Sequence, residues 1–95
     1  MNELLEQYCA DEGAILLDVR DPEEYAEGHI PGAQNVPLRA LHRFADELPD
    51  FDTPLYVYCL SGVRALKAVT VLRGVGYTNV YHLGGIQQYH GELEK

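Results

Sequence analysis

The stretch from Leu55 to Gly76 constrains the fold most, because an apolar strand runs directly into a cysteine, a loop of small residues and an amphipathic helix. Residues 55–58 show no polar alternation, which is typical of a strand buried on both faces of a parallel sheet. Cys59 follows at the carboxyl end of that strand, and apolar residues recur at helical spacing from Val63 onward. Ligands of open parallel sheets lie beyond the carboxyl ends of the strands, so this order of elements predicts a functional cysteine.

The loop after this strand is expected to hold the sulfur at a helix N-terminus. Ser61 and Gly62 allow the backbone to turn tightly, so that unpaired N–H groups surround Cys59. Such donors and the helix dipole favour an anion, and cysteines in such positions commonly have a lowered pKa. We therefore expect Cys59 to be a thiolate nucleophile and Arg64 to hold an anionic substrate group beside it. The structural alternative is a buried strand cysteine followed by a surface arginine.

Length and composition restrict the class of protein. The 95 residues predict one domain, 1–95, and 46% hydrophobic residues without a membrane-length apolar run or a signal pattern predict a soluble, cytoplasmic protein. The net charge of −8 argues against nucleic-acid and anionic-membrane partners. Two distant cysteines indicate no disulfide framework, and the four histidines lack metal-ligand spacing, so we expect no metal site.

The second cysteine lies in a predicted N-terminal helix, 2–11. Leu4, Leu5, Tyr8 and Cys9 recur on one side of this helix, and the acidic residues lie on the other. This pattern predicts that Cys9 is buried by packing. The alternative is a resolving thiol for Cys59.

A second polar cluster follows the apolar run 14–17, which predicts the first strand. Asp18 ends that run, and Asp21 and Pro22 favour the start of a short helix. We expect Glu24 to pair with Arg20 and to fix the loop after the strand. His29, in the next turn, is interpreted as a hydrogen-bonded loop anchor rather than a general base.

The remaining pattern predicts a strand at 34–36, a helix at 38–48, a strand at 80–83 that ends at Gly84-Gly85, and a terminal helix at 86–93. Strands that alternate with helices imply parallel pairing with helices on both faces of the sheet. Asp18 and Cys59 both end apolar strands, so we expect both to lie near one crevice.

Three segments together resemble one known family, the single-domain rhodaneses. They are LLDVRDPEEYAEGHIPGAQNVP at 16–37, YCLSGVRA at 58–65 and LGGIQQYHG at 83–91. The resemblance covers nearly the whole chain. It implies a three-layer α/β/α fold whose central parallel sheet has four to five strands, with the strand order 4-3-1-2; the usual first strand is missing here.

The resemblance also implies sulfurtransferase activity, of the thiosulfate:cyanide type. Cys59 would take the outer sulfur of thiosulfate as a persulfide, release sulfite and pass the sulfur to cyanide or to a thiol, including a protein thiol, without a cofactor. Asp18 and Arg20 would support the site. Leu60 stands where many members that favour thiosulfate carry a basic residue. The substrate-binding loop would consist of Leu60, Ser61, Gly62, Val63, Arg64 and Ala65.

Two other function classes remain open. Rhodanese folds also serve as non-catalytic interaction or persulfide-carrier modules, but such modules often lack the cysteine that this chain retains. Cysteine phosphatases and arsenate reductases of related fold place five residues between the cysteine and the arginine. Here only 60–63 separate Cys59 from Arg64, which predicts a smaller anion cradle, suited to a single sulfur atom rather than a phosphate.

Overall fold

A computed structural model describes all 95 residues as a parallel sheet flanked by helices. The helices are α1 (Asn2–Ala10), α2 (Pro22–Glu27), α3 (Leu41–Glu47) and α4 (Val63–Val75). The strands are β1 (Ile15–Asp18), β2 (Gln34–Asn35), β3 (Leu55–Cys59) and β4 (Val80–Gly85). Two short 3-10 turns cover Leu38–Ala40 and Ile86–Gln88. None of the helices combines the length and the apolar character needed to cross a lipid bilayer.

The four strands have the order β2-β1-β3-β4 and pair in parallel throughout, which confirms the predicted sheet order. β3 is a central strand, since it pairs with β1 on one side and β4 on the other. Each of its five residues is buried. Its uninterrupted apolar sequence is therefore explained by cover on both faces.

Helices cover both faces of the sheet, which confirms the three-layer α/β/α fold. On one face, Leu17 and Val57 pack in a cluster with Leu72 of α4 and residues of α3. On the other, Tyr56 and Tyr58 form a second cluster, against which apolar side chains of α1 pack. Successive strand residues point to opposite faces, so the two clusters divide β3 between them.

The strand β4 and the segment after it differ from the sequence-based expectation. Gly84 and Gly85 do not end the strand but belong to it, where they pair with Tyr58 and Cys59 after a register shift. The predicted terminal helix is wrong, because helical structure stops at Gln88. The backbones of His29 and Glu94 exchange two hydrogen bonds of 2.9 Å, so the C-terminal segment pairs with the loop at His29 instead of forming a helix.

Candidate active site

The Cys59 sulfur lies inside a turn of backbone that leads into α4. Its Sγ atom accepts hydrogen bonds from the backbone N–H of Gly62 at 3.0 Å and of Ala65 at 3.3 Å. These groups belong to the loop and to the first turn of the helix, where N–H donors have no partner within the helix. The arrangement presents two donors and the positive end of a helix dipole to a single sulfur atom.

The loop owes its shape to glycines and to one histidine. Gly62 has φ +108°, a conformation that favours glycine. His82 of β4 places Nε2 2.9 Å from the Gly62 carbonyl oxygen, so this nitrogen carries the proton and donates it. A Cβ atom at Gly85 would lie 2.4 Å from the Leu60 carbonyl oxygen. Only glycine at position 85 therefore lets the loop settle against β4.

His82 and Gly85 were missed at the level of sequence. The Gly84-Gly85 pair was interpreted as the end of a strand, although glycine in a strand also marks a close approach of another backbone. That signal was present and could have identified Gly85. No pattern in the sequence links His82 to the loop.

Arg64 forms an ion pair that the sequence did not predict. Its Nη1 and Nη2 atoms donate to the two carboxylate oxygens of Glu24 at 2.7 and 3.0 Å. The expected pair of Glu24 with Arg20 is therefore wrong; Arg20 turns inward, while Glu24 faces the start of α4. The hydrogen bond from Arg64 lowers the pKa of Glu24 to about 2. The same bond raises the pKa of Arg64, and the nearby Cys59 contributes to that rise.

The ion pair leaves Arg64 able to contact an anion. Glu24 takes one hydrogen from each terminal nitrogen, and the other N–H groups of the guanidinium stay available as donors. The Arg64 side chain is 32% exposed, so a solute can reach it. The positive charge is nevertheless partly neutralised by Glu24, which weakens its attraction for an anion.

Asp18 and Arg20 form a buried hydrogen-bond network at the carboxyl end of β1. The guanidinium of Arg20 donates to both carboxylate oxygens of Asp18 and to the Gly28 carbonyl. The Tyr58 hydroxyl donates to Asp18 at 2.8 Å and accepts from the Ile30 N–H. Burial, with the charge of Asp18, raises the pKa of Tyr58, so this hydroxyl stays protonated. The network ties β1 and β3 to the turn at 28–30.

This network does not contact Cys59, although the position of Asp18 and Cys59 at strand ends predicts that both lie near one crevice. Asp18 bonds Tyr58, whose ring belongs to the cluster beneath α1. Cys59 belongs to the cluster on the α4 face. Neighbouring strand residues point to opposite sides, so Asp18 and Cys59 share one edge of the sheet but lie on different faces of it.

Comparison with known proteins identifies the family. The profile of the rhodanese-like domain matches residues 1–92. The chain belongs to the rhodanese-like domain family. It is 42% identical over 82 residues to the uncharacterized protein YqhL of Bacillus subtilis, a match that covers 85% of this chain and 64% of that relative. It is 38% identical over 79 residues to the thiosulfate sulfurtransferase GlpE of Ectopseudomonas mendocina, covering 83% and 72%.

A solved structure gives the same result for the fold of this rhodanese-like domain. The rhodanese with anions from E. coli superposes with a TM-score of 0.78 at 35% identity, covering 86% of this chain and 98% of that one. The family assignment thus agrees in sequence and in architecture. The relatives named as thiosulfate sulfurtransferases support a sulfurtransferase class for this rhodanese-like domain.

The predictions for Cys9 and His29 have different outcomes. Cys9 is exposed, so the prediction that it is buried by packing is wrong. No residue of α1 is fully buried: Leu4, Leu5 and Tyr8 pack against the sheet as half-buried side chains, and Cys9 faces solvent. His29 stacks on Tyr25 and places Nδ1 3.0 Å from the Tyr25 carbonyl oxygen. The interpretation of His29 as a hydrogen-bonded loop anchor is confirmed.

The sulfur of Cys59 in this rhodanese-like domain is almost completely enclosed by the protein. Cys59 is 1% exposed, and none of the three surface cavities includes it. Leu60 and Val63 are 40% and 62% exposed on the outer side of the loop. Sγ thus lies beneath the surface, next to a loop and a first helical turn that carry these two exposed side chains.

Proposed function

We propose that this chain moves a sulfane sulfur from thiosulfate or a related persulfide donor, through a persulfide on Cys59, to cyanide or a thiol acceptor. The observation that carries this proposal is the pair of N–H groups, from Gly62 and Ala65, that donate to Sγ. Donors so placed stabilise a sulfur anion and cost no reorganisation during the reaction. Such an anion attacks sulfur without a dedicated general base.

In the first step the Cys59 thiolate attacks the outer sulfur of thiosulfate. A new S–S bond forms to Sγ, the bond between the two sulfur atoms of thiosulfate breaks, and its electron pair leaves with sulfite. Cys59 then carries a persulfide whose charge is also stabilised by N–H donors of the loop 60–65. No proton is transferred in this step.

In the second step the acceptor attacks the outer sulfur of that persulfide. With cyanide, a C–S bond forms, the S–S bond to Sγ breaks, and its electron pair returns to Cys59 as the thiolate. The products are thiocyanate and the starting form of the protein. The same N–H groups stabilise the sulfur anion at the start and at the end of the cycle.

Arg64 is proposed to hold the sulfonate end of thiosulfate. The N–H groups that Glu24 leaves unused can form charge-assisted hydrogen bonds to its oxygens. Because the Glu24 carboxylate lies directly beside that position, it opposes binding of a dianion. We therefore expect weak binding of thiosulfate and a smaller handicap for persulfide donors, which have no sulfonate group and at most a single charge on the persulfide.

The test is thiocyanate formation from thiosulfate and cyanide by the native protein and two matched serine variants. Cys59→Ser is expected to abolish product formation, since a hydroxyl cannot carry the sulfur. Cys9→Ser, a change of the same size at an exposed position, is expected to retain full activity. Full activity in Cys59→Ser would overturn the proposal.

A parallel assay with an aryl phosphate separates this proposal from a phosphatase. We expect no hydrolysis above background. Hydrolysis at a rate comparable with sulfur transfer would instead favour the phosphatase class.

A further inference from the structure

Positive charge is concentrated on one side of this acidic protein. The segment 38–47, which includes α3, and α4 together hold five of the seven Lys and Arg residues but only two of the 15 Asp and Glu residues, Asp46 and Glu47. The two segments pack against each other, so we call their outer side the basic face. The basic residues are Arg39, Arg43, Arg64, Lys67 and Arg73.

Apolar side chains are exposed on α4 and on the loop that leads into it. Leu60, Val63 and Leu66 are 40%, 62% and 59% exposed, and they are three of the five large apolar residues that the fold leaves in solvent. Clustered exposed apolar residues mark binding surfaces more often than scattered ones do. Beside them runs a groove of about 550 Å³, lined by Leu38, His42, Leu66, Lys67, Thr70 and Val71.

Part of the positive charge on the basic face is not neutralised. Arg39 pairs with Asp21 and Arg64 pairs with Glu24, both at the edge next to α2. Lys67 and Arg43 form no ion pair. Lys67 is exposed and lines the groove directly. An occupant with both apolar and acidic groups would match the groove and its charge.

We propose that the basic face binds an acidic segment of a partner protein whose cysteine thiol accepts sulfur from Cys59. This inference rests on the proposed function. Thiosulfate has no apolar group and needs only the loop and Arg64, so the groove has no role in its binding. Leu60 and Val63 belong to the loop and to the first turn of α4 that follow Cys59, and Leu66, one turn further along α4, lines the groove. A segment seated there would bring its thiol to the loop.

The chemical step is a thiol–persulfide exchange. The partner's thiolate attacks the outer sulfur of the Cys59 persulfide, a new S–S bond forms on the partner, and the bond to Sγ breaks. Its electron pair returns to Cys59 as the thiolate. The partner thiol is oxidised to a persulfide and the Cys59 persulfide is reduced, so no other oxidant or reductant takes part.

The test uses two synthetic peptides, each with one cysteine between leucines. Glu residues flank the thiol in the first peptide, and Lys residues take the same positions in the second. The protein is loaded with thiosulfate, loading is checked by mass, and persulfide formation on each peptide is followed over time. We expect the acidic peptide to accept sulfur about tenfold faster at low salt, with an advantage that shrinks as salt screens the charges.

Variants of exposed residues assign the effect to the basic face. Lys67→Glu is expected to abolish the preference for the acidic peptide and to speed transfer to the basic one. Leu66→Asn is expected to slow transfer to both. Lys95→Glu makes the same charge change at the chain end and is expected to leave the preference intact. All three are expected to transfer sulfur to dithiothreitol, a small neutral thiol, at the native rate.

The outcomes separate this inference from the proposed function. Equal rates for the two peptides, or equal effects of Lys67→Glu and Lys95→Glu, would overturn the docking surface while transfer to dithiothreitol upheld the function. Failure of the native protein to take up sulfur at all would overturn both.

Discussion

Arg64 and Glu24 lie 40 positions apart in the chain, yet their side chains form a bidentate ion pair at the start of α4, directly after the cysteine loop. The pair joins the start of α4 to the first turn of α2. It fixes the orientation of the guanidinium and also places a carboxylate beside the position at which we propose that an anionic donor binds. Arg64 and Glu24 together should therefore set the preference between donors.

Replacing Arg64 with alanine should penalise anionic donors selectively. Loss of charged hydrogen bonds costs about 1.5–3 kcal/mol, so we expect kcat/KM for thiosulfate to fall about 10- to 100-fold in Arg64→Ala. An organic persulfide, which has no sulfonate group for Arg64 to hold, should lose much less. Steady-state kinetics with both donors measure the difference, and equal losses would show that Arg64 has only a structural role.

Two further variants separate the effect of the Arg64 charge from the effect of leaving the Glu24 carboxylate unpaired. Arg64→Lys keeps the charge without the planar fork and should fall between native and alanine. In Arg64→Ala with Glu24→Gln, the unpaired carboxylate is gone, so thiosulfate activity should recover in part. No recovery would mean that Glu24 does not repel the donor.

The same pair predicts a pH-dependent contribution to stability. The pKa of Glu24 is lowered from its usual 4.5 to about 2, so the pair stabilises the fold above pH 4.5 and its contribution is lost as the pH falls toward 2. Native protein should exceed Glu24→Gln in free energy of unfolding by up to about 1 kcal/mol at pH 7, given the partial exposure of the pair. Urea denaturation of both proteins between pH 7 and pH 2 measures this difference in the free energy of unfolding. A difference that stayed constant down to pH 2 would contradict the ion pair.

The contact of Gly85 with the loop predicts a loss of activity from a single methyl group. A Cβ atom in Gly85→Ala would meet the Leu60 carbonyl oxygen and Ser61, which should displace the N–H donors and lower sulfur transfer by about tenfold or more. Gly74→Ala is the matched control, because nothing lies near that position in α4. It should keep full activity and raise stability by about 0.5–1 kcal/mol. Equal activity in both variants would show that the site does not depend on glycine at position 85.

The Tyr58 hydroxyl should matter for stability and not for chemistry. Tyr58→Phe removes the acceptor for the Ile30 N–H and one donor to Asp18, and an unsatisfied buried group costs about 1–3 kcal/mol. We expect that loss in the free energy of unfolding, with unchanged thiocyanate formation by the folded protein. A large fall in turnover at native stability would instead tie Asp18 and Tyr58 to the reaction.

Local pattern predicted the centre of the fold well. The apolar run of β3, the loop at 60–62 and the apolar spacing of α4 each follow from short-range preferences, and all three form in the expected order. The order of the strands came from the family resemblance and is confirmed. These features depend on residues close in sequence or on three motifs that occur together.

The features that the sequence did not predict depend on long-range contacts. Glu24 has a basic neighbour in Arg20, but Asp18 takes that guanidinium in a buried site, which leaves Glu24 to Arg64. The periodicity of α1 groups Cys9 with Leu4, Leu5 and Tyr8, yet only those three pack against the sheet and Cys9 stays exposed. The C-terminal segment gains hydrogen bonds by pairing with His29, which no local propensity signals.

The central claim is that Cys59 carries the sulfur between donor and acceptor, and the mass of the intact protein tests it most directly. After incubation with thiosulfate and removal of small molecules, we predict a gain of one sulfur atom, mapped to the peptide that contains Cys59 and lost on addition of cyanide. Cys9→Ser should show the same gain. A mass that did not change, or a gain that persisted in Cys59→Ser, would contradict the account.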